Sequence, residues 1–155
     1  MDTKRRGLFF EEFVEGLSIL TPKRTITDAD IVNFAGISGD FNPLHVDEEF
    51  ARTTVHGGRI AHGMLSASVS SGLAALTGIF DGTVVGLLEV DARFVGVVRP
   101  GDTVQLELEC VAKRRALQSD GGLVVLKTTL RNQRSEVVSE GKWKLLIKTA
   151  PTSDT

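Results

Sequence analysis

A chain of 155 residues, 41% hydrophobic and 25% charged, has an ordinary globular composition and is long enough to bury a real core. Its net charge of −2 removes the electrostatic case for nucleic acid, and its one cysteine, Cys110, excludes an intrachain disulfide and a cysteine-rich metal site. No stretch approaches the roughly 18 consecutive apolar residues of a membrane helix, and "MDTKRRGLFF" lacks the apolar core of a signal peptide, so the expectation is a soluble, cytoplasmic protein with no membrane partner.

In chain order, the basic run "KRR" at residues 4–6 reads as solvated surface, and residues 9–14 as a first strand. "KRTIT" is a short extended piece. "TDADIVNFAGISGD" is a helix: Thr27 is its N-cap, Asp30 sits three residues on at capping-box spacing, and Ile31, Phe34 and Ala35 form its apolar face. Gly36 and Gly39 end it. "VDEEFAR" is a second short helix capped by Asp47.

A longer helix is expected over residues 61–76, about 24 Å at about 1.5 Å per residue. Its residues are small or apolar nearly all round, with serines but no charge between them, which predicts a buried helix. The remainder is β. Residues 84–98 are rich in Val, Leu and Phe, and "PGD" at 100–102 is a turn. "TVQLELEC" alternates, with Val104, Leu106, Leu108 and Cys110 on one face, as in a half-buried antiparallel strand. A second "KRR" at 113–115 again reads as surface, with the phosphates of a small ligand as the alternative. "GLVVLKTTLRNQRSEVVSEGKWKLLIK" holds two more strands joined near 132–135, with Trp143, Leu145 and Ile147 facing inward. No linker or repeat divides the chain. It reads as one α+β domain over residues 1–155, with a core of about 8–148 and a frayed polar tail "TAPTSDT".

Two segments could carry chemistry. In "SGDFNPLHVDEEFA", Asp40 and His45 flank an Asn42-Pro43 turn, and Pro43 biases Asn42 away from helical geometry. A tight turn there would let a carboxylate and an imidazole share a water. Spacing alone leaves open that Asp40 merely caps a helix. In "GGRIAHGMLSAS", Gly63 lies near the start of the long helix, where free N–H groups can stabilise a developing oxyanion. Spacing alone equally allows a packing glycine. His62 is open between acid/base and packing roles, and His56 reads as a loop residue. No histidine pair has helical zinc spacing, so no metal is expected. Gly-x-Ser-x-Gly is absent, which argues against a serine nucleophile.

Together the two segments resemble the MaoC-like dehydratases, and among them the (R)-specific enoyl-CoA hydratases. The pattern Ser-Gly-Asp-x-Asn-Pro-Leu/Ile-His, with a small residue six positions after the His, is carried by Ser38, Gly39, Asp40, Asn42, Pro43, Leu44, His45 and Ala51. "AHGML" and "RPGDTV" are similar to the family as well. The resemblance implies a hot-dog fold, an antiparallel sheet wrapped around the long central helix, and a homodimer whose sheets join edge to edge. It implies reversible syn hydration of trans-2-enoyl-CoA to (R)-3-hydroxyacyl-CoA. Asp40 and His45 would activate the water, and Gly63 would polarise the thioester carbonyl. Ser68 matches a serine that supports the Asp, and Asn42 would fix the loop. No cofactor is implied, because the thioester acidifies C2. Leu65, Val69, Phe80, Leu87 and Phe94 are the candidates for an acyl pocket. Alternatives are an acyl group on acyl carrier protein, a branched or dicarboxylic acyl-CoA, a hot-dog thioesterase, and a non-catalytic acyl-binding subunit.

Overall fold

The computed structural model describes residues 7–116 and 121–151, so the first basic run and the last four residues of the polar tail lie outside the described residues. After a 3₁₀ turn at Phe10–Glu12, the elements are β1 (Ser18–Thr25), α1 (Asp28–Ser38), α2 (Pro43–Val46), α3 (Glu48–Arg52), α4 (Gly63–Leu76), β2 (Val84–Phe94), β3 (Thr103–Arg115), β4 (Gly121–Arg131) and β5 (Val137–Lys148). The strands form one antiparallel sheet in the order β1-β3-β4-β5-β2. This is the hot-dog arrangement, with α4 lying against β1 and β3.

Local chemistry explains most boundaries. Thr27 caps α1 by accepting from the Asp30 N–H, and the Asp30 carboxylate accepts in return from the Thr27 N–H, so two orphan donors are satisfied at once. Gly39 closes α1 in the left-handed region at φ 77°, a conformation that costs a glycine nothing, and its N–H donates to the Ala35 carbonyl. Residues 9–14, expected as a strand, instead make the 3₁₀ turn. There Phe10 and Phe13 both point into the core, which the period of a strand does not allow for positions three apart.

One cluster makes up the core. Leu65, Val69 and Leu73 of α4, at successive turns, pack on Leu106, Leu108, Leu126, Leu130, Trp143, Leu145 and Ile147 from the sheet. The alternation read in β3 and β5 holds, and Cys110 is buried among these residues. Burial pushes its thiol up, which suits a small core residue and not a nucleophile.

One feature differs from the expectation of a buried helix, and a second concerns the edges of the sheet. The other face of α4 (Met64, Ser68, Ser71, Gly72, Ala75 and Leu76) is exposed. It carries no charge, so the sequence of the helix reads as buried all round although the chain alone covers only one side. The sheet's two edges are also unlike. β1 has Pro22, with a register shift between Leu20 and Lys23. β2 exposes Val85, Leu87, Leu88, Val90 and Phe94 along a strand paired on one side only. No helix of the described residues is long and apolar enough to cross a membrane.

Candidate active site

The segment between α1 and α3 is built by short-range hydrogen bonds. The Ser38 hydroxyl donates to the Phe34 carbonyl at 2.7 Å and accepts from the Asp40 N–H at 3.1 Å, so the end of α1 aims the residue that follows it. One Asp40 carboxylate oxygen accepts from the Asn42 N–H at 3.2 Å. Asn42, at φ −55° and ψ 132°, is outside the helical region as Pro43 demands, and its side chain caps α2 by accepting from the Leu44 N–H at 3.0 Å. Pro43 then occupies the first helical position, where its missing N–H costs nothing. A single turn of helix brings His45 round toward Asp40.

His45 is half-buried, and its Nδ1 is 2.7 Å from the Ile60 carbonyl. A carbonyl only accepts, so Nδ1 carries the proton and Nε2 presents a lone pair. His62, the N-cap of α4, is 2% exposed, and its ring lies 3.8 Å from that of His45 at an interplanar angle of 27°. One carboxylate oxygen of Asp40 and one nitrogen each of His45 and His62 all lie within 4.8 Å of one another. Two groups that each hydrogen-bond the same water at about 2.8 Å stand about 4.6 Å apart, so the spacing suits a shared water. Asp40 itself is exposed, so water and ligand can reach it.

By spacing alone these three atoms could also hold a metal ion, and the stacking of the two rings disfavours one. An ion about 2.1 Å from an imidazole nitrogen must lie in that ring's plane. Two rings stacked face to face have nearly parallel planes, and an ion placed in one plane is well out of the other.

Gly63 is the first residue of α4 and directly follows His62, so the N-terminus of the helix abuts the Asp40–His45 pair. The first N–H groups of a helix have no partner within it and carry partial positive charge. A side chain at Gly63 would come within 2.9–3.0 Å of the Phe94 ring, so only glycine keeps this end open to the strand beside it. Ser68 is exposed, and its hydroxyl donates to the Met64 carbonyl at 2.8 Å, not to Asp40. Of the five acyl-pocket candidates, Leu65 and Val69 belong to the core cluster and Phe80 packs against it, 6.4 Å from Phe13. Leu87 and Phe94 are about half exposed on β2. The structure thus brings Phe94 to Gly63.

Three residues contribute in ways the sequence did not report. Ile60 acts through its main-chain carbonyl, which no side-chain motif reports. Ser38 holds Asp40 by accepting from the Asp40 N–H. Arg59 reaches both Asp28 and Glu48 at 2.8 Å, tying the start of α1 to the start of α3 across the loop that leads to α4. Its only signal was an arginine among glycines.

Comparison with known proteins finds relatives over most of the chain. The family model described as MaoC like domain matches residues 13–131. Protein MaoC of Klebsiella aerogenes is 35% identical over 147 residues, which make up 92% of this chain but only 39% of that protein. The (R)-specific enoyl-CoA hydratase of Rhodospirillum rubrum is 37% identical over 139 residues, covering 90% of this chain and 91% of the relative. Among solved structures, the monoamine oxidase regulatory protein from Archaeoglobus fulgius has a TM-score of 0.86 at 35% identity, over 94% of this chain and 97% of that one.

Proposed function

The chain belongs to the MaoC-like dehydratase family, a family of hydro-lyases, and from that premise we propose that it is an (R)-specific enoyl-CoA hydratase acting reversibly on trans-2-enoyl-CoA. The observation that carries this reading is the convergence of Asp40 and His45 beside the N-terminus of α4. In the hydration direction the pair holds one water. The lone pair on His45 Nε2 and the Asp40 carboxylate together remove its proton as its oxygen adds to C3. Electron density moves through C2 onto the thioester oxygen, where the Gly63 N–H and the helix end oppose the developing charge. The abstracted proton returns to C2 on the same face, because the same pair delivers it, and syn addition follows.

No metal or redox cofactor takes part in this scheme. The thioester already acidifies C2, and the stacking of His45 on His62 disfavours an ion lying in both ring planes.

The functional unit in this reading is a homodimer. The outer face of α4 carries no charge and the free edge of β2 is rich in exposed apolar side chains, and a second copy covering both would extend the sheet and complete the enclosure that the composition of α4 calls for.

The test is the fall of enoyl-thioester absorbance when the purified protein meets crotonyl-CoA, with the product's handedness read by an enantiomer-specific dehydrogenase. Asp40→Asn is expected to lower kcat by about three orders of magnitude with an unchanged folded spectrum, and a chelator is expected to leave the wild-type rate untouched. Near-normal rates in Asp40→Asn would remove the aspartate from the mechanism. Free thiol in place of the (R)-alcohol would point to thioester hydrolysis. Longer, branched and carrier-bound enoyl thioesters, run in parallel, sort the substrate class.

A further inference from the structure

His62 has a set of contacts that packing alone does not explain. It is 2% exposed and lies edge-on to Phe34 at 5.0 Å, so an apolar ring would fill its place. Yet it keeps a polar ring there at a cost: Nδ1 is buried with no hydrogen-bond partner. What the ring gains is on its other side. Nε2 lies 2.9 Å from the main-chain carbonyl of Asp40, and since a carbonyl only accepts, Nε2 carries the hydrogen. The bond links residues 22 apart in sequence, joining the Asp40 turn to the first residue before α4. The face of the same ring is stacked on His45.

We propose that His62 is a positioning residue for the Asp40–His45 pair. The donation to the Asp40 carbonyl sets where the main chain of the exposed Asp40 stands. The stack sets the plane in which His45, anchored at Nδ1 by Ile60, presents Nε2. Two side chains from one short loop are thereby referred to a third that is fixed in the core at the helix end holding Gly63. Acid, base and N–H donor share one rigid frame, and errors in their relative placement are costly, of order a hundredfold in rate for about 1 Å. His62 touches neither the shared water nor the thioester in this scheme.

This inference rests on the hydratase reading, so its test has one arm that needs no turnover. In ¹⁵N-labelled wild-type protein, histidine NMR at neutral pH is expected to show His62 protonated at Nε2 and bare at Nδ1, with His45 as the single Nδ1–H tautomer. His62 as the Nδ1–H tautomer would overturn the proposal whatever the enzyme does. In the kinetic arm, His62→Phe keeps the ring and its volume but lacks the donor. It is expected to hold the wild-type melting temperature or exceed it, to lose at least tenfold in kcat, and to keep KM within about twofold. His62→Gln, which restores a donor, is expected to recover part of that loss. Folded His62→Phe at the wild-type kcat, or a change confined to KM, would overturn the proposal. Should wild-type protein hydrate no enoyl thioester, the functional reading fails, and the NMR arm still decides the geometry.

Discussion

At the scale of single residues, the contact between Gly63 and Phe94 is the most exacting. An added methyl would lie 2.9–3.0 Å from three ring carbons, including the one nearest the backbone, so the ring cannot simply swing its far end away. Phe94 is on an edge strand and 45% exposed, so the chain has room to yield without unfolding. Gly63→Ala is therefore expected to fold and to melt within a few degrees of wild type, while kcat falls about tenfold or more as the helix end and β2 move apart. In a Phe94→Ala background the same substitution should cost much less. A double-mutant cycle on kcat/KM reads this as a coupling of about 1–3 kcal/mol, and strict additivity would separate the two residues. Asp40, His45 and Gly63 were visible in the sequence because they occur in two short, specific segments. The contacts that aim them were not, since they run through main-chain carbonyls at Ile60 and Asp40 and cross 15 and 22 residues.

At the scale of elements, Arg59 holds α1 and α3 in register around the site, with its guanidinium on Asp28 and Glu48. The hydrogen bond from Arg59 is the largest of the influences that hold the Glu48 carboxyl below its ordinary value, and burial opposes it. A carboxyl whose value is lowered on folding adds stability above its unfolded value, about 4.3, and loses it as pH falls through the lower folded value. Glu48→Gln is thus expected to melt below wild type at pH 7, with the gap closing as pH drops below about 4. A gap that persisted unchanged into acid would show that the carboxylate charge is not what matters. The starts of α1 and α3 were well marked in the sequence because capping is local: Thr27 with Asp30, and Asp47, act within three residues, whereas Asn42-Pro43, read as a turn, caps a one-turn helix. The turn at residues 9–14 was misread as a strand because its apolar residues follow the packing of Phe10 and Phe13, and that is a tertiary matter. The enclosure of α4 was over-read for a related reason. Hydrophobicity reports that a face is to be covered and is silent on whether the same chain covers it.

At the scale of the whole molecule, the other described residues leave open the uncharged outer face of α4 and an apolar margin along β2. Leu88, 57% exposed on that margin, is distant in character from the catalytic groups and suits a charge insertion. Leu88→Lys is expected to turn a dimer at about 10 μM into a monomer by sedimentation velocity, since buried charge at a small interface without a partner costs several kcal/mol. A wild-type protein sedimenting as a monomer would remove the homodimer from the functional reading. The opposite margin behaves differently. On β1, Pro22 contributes no N–H, so that border makes a poorer template for another strand. In the proposed homodimer the molecule would have a valency of one. A two-fold pairing through β2 would consume the apolar border on each copy and present the two Pro22-bearing borders to the solution. Growth would then terminate at the first encounter, and a protein rich in exposed valine and leucine along one strand could be concentrated without forming fibres.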